Sequence, residues 1–184
     1  MKKFLNEQIL LYKMRTGDVE AFGPVYDFYH EKIYRFVYLK LPTRQDAEDL
    51  TAETFLKCWQ YIQEKKPIHT VQAFLYQIAR NLVVDFYRTR GMPLESIDER
   101  EIVIADRTDL TLEEKMALKS DMQEIETALR QLKDAYREVI VLHFLNELSL
   151  KEVARIIGKS PGATRVLLHR GIKAVKGILA EKNG

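Results

Sequence analysis

Apolar residues recur along most of the chain at intervals of three and four, the spacing that lines one side of a helix. After Gly17, Asp18 is a candidate helix start, and Phe22, Val25, Tyr26, Tyr29, Ile33, Phe36, Val37 and Leu41 follow as one broad stripe. Gly23-Pro24 must kink this helix or shift its start, because proline lacks the N–H that a helix interior needs. Thr43 predicts the cap of a second helix, whose apolar positions Ala47, Leu50, Phe55, Cys58, Trp59 and Ile62 go around more than one face, as in a bundle. Lys-Lys-Pro-Ile-His-Thr at residues 65–70 reads as a loop. A third helix over about residues 71–90 carries Phe74, Leu75, Ile78, Ala79, Leu82, Val83 and Phe86 and stops before Gly91.

The periodicity then fades. No long apolar face appears between Gly91 and Leu112, and the capping box Thr-Leu-Glu-Glu at residues 111–114 opens the helix that ends this stretch. Further on, Asp134 is read as the cap of a helix reaching about Asn146. Ser149-Leu-Lys-Glu152 is a second capping box for a short helix containing Val153, Ala154, Ile156 and Ile157, which Gly158 ends. Ser160 caps a last helix with Pro161 at its first position, running to about Ala180. With only 8 glycines and 5 prolines among 184 residues and few alternating β-branched runs, the fold class is all-α. Two small helical domains, residues 1–90 and 120–184, are joined by a linker over residues 91–119.

Charge sharpens this division. The whole chain carries a formal +2, but residues 1–90, 91–125 and 126–184 carry +3, −6 and +5. Two basic-leaning domains flank an acidic connector that nucleic acid would repel. The length excludes a large multi-domain enzyme, and 46% apolar with 30% charged residues is the balance of a folded soluble protein. A single cysteine, Cys58, leaves no internal disulfide and points to a reducing, cytoplasmic compartment. The N-terminal apolar stretch is broken by Asn6, Glu7, Gln8 and Lys13, so neither a signal peptide nor membrane insertion is expected. His30, His69, His143 and His169 lack metal-ligand spacing, and there is no glycine-rich phosphate loop or nucleophile–base pattern. No enzyme activity, metal or cofactor is expected.

A short helix, a turn containing glycine and a longer second helix form the layout of a helix-turn-helix, whose second helix enters the major groove by its N-terminal end. No acidic residue lies between Glu152 and Glu181, whereas Arg155, Lys159, Arg165, Arg170, Lys173 and Lys176 do. On the last helix Leu168, Val175 and Leu179 form an inner face, opposite Gly162, Arg165, Val166, His169, Lys173 and Lys176. Elsewhere, Asp46, Asp49 and Glu53 stack on one side of the second helix with Glu48 beside them, an arrangement suited to solvent or to a basic protein surface.

The runs DAEDLTAETFLKCW (46–59), FLYQIARNLVVDFYRTR (74–90) and SLKEVARIIGKSPGATRVLLHRGIKAVKGIL near the C-terminus together resemble the extracytoplasmic-function (ECF) sigma factors of bacterial RNA polymerase. The resemblance implies a sigma-two domain that binds core polymerase and reads the minus-ten element, and a sigma-four domain that reads the minus-thirty-five element. It implies that Asp46, Glu48, Asp49 and Glu53 meet the β′ clamp helices, while sigma-four also meets the β flap. Lys65, Lys66 and His69 of the loop, with Asn81, would capture a flipped base, and Arg80, Arg88 and Arg90 would lie near the DNA backbone. Ser160, Gly162, Arg165, Val166, His169, Arg170 and Lys173 would contact the minus-thirty-five element. A separate anti-sigma factor is implied as the silencing partner. The chain departs from the family pattern in its loop, at Thr164 where valine is usual, at Leu167 where arginine is frequent, and at Gly171 where alanine is common. Two other readings stay open: a stand-alone helix-turn-helix regulator and a helical adaptor that binds only protein.

Overall fold

A computed structural model describes residues 7–91 and 127–182, and every regular element among them is helical. The chain divides into two compact units, Met1–Gly91 and Met92–Gly184. Most of the linker, and with it the capping box at Thr111, lies outside the described residues. Among those that are described, no helix is long and apolar enough to cross a membrane.

The first unit begins with a helix not foreseen in the sequence, α1 (Glu7–Arg15), which buries Leu11 and Met14. Asp18 starts no long helix: only a single 3-10 turn, Glu20–Phe22, follows it, with Val19 at the cap position and the Asp18 carboxylate accepting the Ala21 N–H at 3.3 Å. The next helix, α2 (Gly23–Tyr38), starts at the glycine with Pro24 in its first turn, so the Gly-Pro pair shifts the start and produces no kink. Thr43, in extended conformation, caps α3 (Arg44–Gln63) by accepting the Asp46 N–H at 3.0 Å. Buried Thr51 and Thr54 in mid-helix return their hydroxyls to the Ala47 and Leu50 carbonyls, each at 2.7 Å, which satisfies them without an outside partner. α4 (Val71–Thr89) closes the unit and ends before Gly91, whose φ of 68° is the left-handed conformation that glycine tolerates.

Helices α2, α3 and α4 pack on one another around Ile33, Phe36, Phe55, Ile62, Leu75 and Tyr76, with the Phe36 and Tyr76 rings edge to face at 5.3 Å. The stripe read from the sequence is broader than the face that is buried. Tyr26 of that stripe remains 38% exposed. Tyr26 lies over the Phe55 ring at 4.7 Å, and Trp59 is half-buried with its ring 5.3 Å from Phe22. Cys58 is fully buried, and burial pushes its thiol up to about 12. At pH 8 only roughly one thiol in ten thousand is then ionised. Alkylation of the native chain by iodoacetamide at pH 8 should therefore be at least about a hundredfold slower than in denaturant. A native rate near that of the unfolded chain would contradict this.

In the second unit α5 (Asp134–Ile140) runs into a π-helical turn, Val141–Leu145, closed by the Asn146 N–H donating to the Val141 carbonyl at 3.1 Å. The cap position belongs to Lys133. Asp134 is the first helical residue, one place later than read, because the extended backbone ends at Lys133. A carboxylate in the first turn still complements the helix dipole. α6 (Leu150–Ile157) and α7 (Pro161–Lys182) complete the unit, and α7 packs on both α5 and α6.

Gly171 marks the close approach of α7 to α5: a β-carbon there would lie 3.0 Å from Ile140 Cδ1 and 3.3 Å from Tyr136 Cβ. What reads in sequence as a helix-propensity defect of up to about 1 kcal/mol is thus a packing requirement. Gly171→Ala should shift stability by less than about 1 kcal/mol, since the propensity gain offsets a small displacement of Ile140. Gly171→Val should destabilise by roughly 1–3 kcal/mol in chemical unfolding of the full chain. Equal stability of the two variants would argue against the tight approach.

Candidate nucleic-acid interface

The geometry of α6, turn and α7 follows from local chemistry. Ser149 accepts the Glu152 N–H at 3.3 Å while the Glu152 carboxylate accepts the Ser149 N–H at 2.9 Å, a complete capping box. Gly158 takes φ 67°, and the Lys159 N–H donates to the Ala154 carbonyl at 3.0 Å, so the chain leaves α6 in a Schellman turn. Ser160 then accepts the Ala163 N–H at 3.2 Å, capping α7 with Pro161 as its first residue.

Within α7, Thr164, Leu168 and Gly171 face inward and are buried, and Leu167 is half-buried. The Thr164 hydroxyl donates to the Ser160 carbonyl at 2.9 Å, so a polar residue at a fully buried position is satisfied by its own helix. On the opposite side Ser160, Gly162, Arg165, Val166, His169, Arg170, Lys173 and Lys176 are all exposed. Among the described residues, none of the basic side chains Arg155, Lys159, Arg165, Arg170, Lys173 and Lys176 has an ion-pair or hydrogen-bond partner. The inner packing therefore holds a strip of unpaired cations outward, behind a helix end made of small residues. Such a strip offers counterion-releasing contacts to phosphates and leaves guanidinium and imidazole groups available for base edges.

The acidic face of α3 is less uniform than its spacing suggests. Glu48 pairs with Arg44 at 2.8 Å and Glu53 with Lys57 at 3.4 Å, both exposed pairs one turn apart. Asp46 is drawn into the fold: its carboxylate accepts from the Thr43 hydroxyl at 2.6 Å and from Arg90, the residue that follows α4, at 3.2 Å. Asp49 is exposed, and its side chain has no partner among the described residues. One turn or two beyond Asp49 on the same side lie Glu53 and Leu56, the latter 56% exposed. Sequence reading passed over Leu56, although it is out of phase with the inward set Ala47, Leu50, Thr54, Cys58 and Ile62.

Around the loop, Lys65, Lys66 and His69 are exposed, and Lys65 adopts a left-handed φ of 57°. Lys66 pairs with Glu64 and lies over the Tyr61 ring at 5.2 Å. Asn81 is exposed on α4, about 15 Å of helix rise beyond Val71, and its side chain has no hydrogen-bond partner among the described residues. Arg80 is half-buried, whereas Arg88 is exposed and paired with Asp85 at 2.8 Å. Arg90, besides holding Asp46, stacks over Phe86 at 3.9 Å. The loop is also contacted from α1: Arg15 donates to the Lys66 carbonyl at 2.8 Å, and Gln63 donates to the Met14 carbonyl at 2.9 Å.

Segments of both units match known families. Residues 25–92 match the family described as Sigma-70 region 2, and residues 122–175 match Sigma-70, region 4. The chain is 32% identical over 177 residues to the ECF RNA polymerase sigma factor BldN of Streptomyces coelicolor, covering 94% of this chain and 65% of that one. The chain thus spans about two thirds of that relative's length. With the ECF RNA polymerase sigma factor SigW of Bacillus subtilis it shares 29% identity, over 89% of this chain and 91% of that one. Among solved structures, CnrH in complex with the cytosolic domain of CnrY superposes with a TM-score of 0.66 at 20% identity, covering 95% of this chain and 97% of that one. The sigma factor RpoE of Bartonella quintana, in complex with the anti-sigma factor NepR, gives 0.65 at 22% identity, covering 88% and 98%. At these identities the two structures speak to the fold.

Proposed function

This chain belongs to the sigma-70 family, in its ECF group, and from that premise we propose that it carries core RNA polymerase to promoters by dividing the work among three surfaces. Asp49, Glu53 and Leu56 of α3, with Glu48, dock on the basic clamp helices of the β′ subunit. The exposed pairs of Glu48 and Glu53 give way readily, since each is worth only about 0.3–0.5 kcal/mol. Asp46 contributes chiefly by holding α3 to Arg90. The second unit also meets the β flap.

Residues 65–70 and Asn81 receive a base extruded from the non-template strand at the minus-ten element. Unstacking that base costs a few kcal/mol, which contacts in the pocket must recover. Lys65, Lys66 and His69 supply donors and positive charge there, while Arg80 and Arg88 follow the backbone. Melting of this kind needs no catalytic side chain in this chain. At the minus-thirty-five element, α7 enters the major groove by its N-terminal end. Ser160 and Gly162 allow close approach, Arg165, Val166 and His169 meet base edges, and Arg170 and Lys173 contact phosphates.

The observation that carries this reading is the outward face of α7, where Arg165, Arg170, Lys173 and Lys176 are exposed and have no ion-pair partner among the described residues. A separate anti-sigma protein is proposed as the silencing partner, supported by the similarity of fold to RpoE, which was solved with such a factor. The test is a comparison of promoter-duplex binding with and without core polymerase. The chain alone should bind duplex weakly and with little sequence preference, and addition of core should create a tight, sequence-specific complex. Tight specific binding by a dimer of the chain alone would instead identify a stand-alone regulator.

A further inference from the structure

Resting on the sigma-factor reading above, we propose that α1 is a brace that presets the minus-ten loop, with Glu7 and Arg15 as its positioning residues. Thr70 occupies the cap position of α4 but its side chain makes no capping bond. The Val71 N–H donates to the carboxylate of Glu7 at 3.3 Å, from a residue 64 positions earlier in the chain. The other oxygen of that carboxylate accepts the hydroxyl of buried Tyr29. A helix of 19 residues thus has its positive end met by a carboxylate from a different element.

The near side of the loop is held as well. Arg15 donates to the Lys66 carbonyl at 2.8 Å, and Gln63 to the Met14 carbonyl at 2.9 Å. The grips fall at residues 63, 66 and 71, on both sides of the loop, and Leu11 and Met14 anchor α1 in the core. Between the grips Lys65 keeps a left-handed φ of 57°, which a lysine seldom adopts without surrounding support. At 66 and 71 the holding contacts use backbone groups, and at 63 the Gln63 side chain, so the side chains of Lys65, Lys66 and His69 stay exposed. Ordering of the loop is then complete before DNA arrives, which raises its affinity for a captured base without adding a contact. α1 lies outside the segment 25–92 that matches the region 2 family, so the brace is built from residues beyond that match.

The experiment uses the full chain carrying Glu7→Ala, Arg15→Ala or Glu7→Gln. Hydrogen exchange of the free proteins is read at residues 64–71 and along α3, and minus-ten base discrimination is read with core polymerase. Both alanine variants should exchange at least about tenfold faster at 64–71, equivalent to about 1.4 kcal/mol, with α3 unchanged. Their discrimination among minus-ten bases should fall about threefold or more, while core affinity and minus-thirty-five preference stay as in the unaltered chain. Glu7→Gln, which keeps an oxygen acceptor for the Val71 N–H, should recover most of both effects. Unchanged exchange at 64–71 would overturn the brace, as would faster exchange with discrimination intact. Failure of the unaltered chain to initiate at any promoter would instead overturn the sigma-factor reading, and the exchange data would distinguish that outcome.

Discussion

Asp49→Arg should lower the affinity of the chain for core polymerase roughly 30- to 100-fold while leaving its helical content and thermal midpoint in place, because placing a like charge against a basic surface costs several kcal/mol. Asp49 is suited to this test. It is exposed and its side chain has no ion-pair or hydrogen-bond partner among the described residues, so its replacement removes no such contact from them. Asp46 would be a poor substitute, since its carboxylate serves Thr43 and Arg90. Its loss would combine a stability effect with a binding effect. Leu56→Glu on the same face should act in the same direction. Direct titration of core polymerase with labelled chain gives the answer, and unchanged affinity of Asp49→Arg would remove this face from the interface.

Arg165→Ala should reduce recognition of the minus-thirty-five element roughly ten- to a hundredfold, in line with the 1–3 kcal/mol that a base-edge contact contributes to discrimination. The loss should fall mainly on the preferred sequence, so that competition between matched and altered duplexes for the polymerase complex becomes flatter. Lys173→Ala provides the contrast: a phosphate contact should weaken binding to all sequences alike and reduce the salt slope by about one. Both residues are exposed with no side-chain partner among the described residues, and the inward positions Thr164, Leu168 and Gly171 that hold α7 in place are untouched. Uniform weakening by Arg165→Ala would assign it to the backbone.

The parts of the fold legible in the sequence are those set by chemistry within a few residues. Thr43, Ser149 with Glu152, Gly158, and Ser160 with Pro161 each end or begin a helix as read, because a hydroxyl, a left-handed glycine and a missing N–H act locally. What was missed depends on partners far away in the chain. α1 is nine residues long, too short to be stable alone, and exists by docking Leu11 and Met14 and by tying Glu7 to Val71. Gly171 has a meaning only once Ile140 and Tyr136 are seen against it. Asp134 was misplaced by one residue because a carboxylate is favoured both at a cap and in the first turn.

The candidate surfaces divide in the same way. The strip on α7 was readable since helical spacing alone separates Arg165, His169 and Lys173 from Leu168. On α3, spacing grouped four carboxylates that the structure tells apart: Asp46 is bound internally, Glu48 and Glu53 are paired along the helix, and Asp49 is open. The exposure of Leu56 and the grips on the loop required coordinates.

The most direct test is transcription by purified core polymerase and this chain from a library of promoters randomised at both elements, with the transcripts sequenced. Initiation should depend on the added chain and should select one minus-ten and one minus-thirty-five sequence; Arg165→Ala should alter only the second preference. Initiation no greater than with core polymerase alone, across the whole library, would contradict the assignment of this chain as a promoter-selecting subunit.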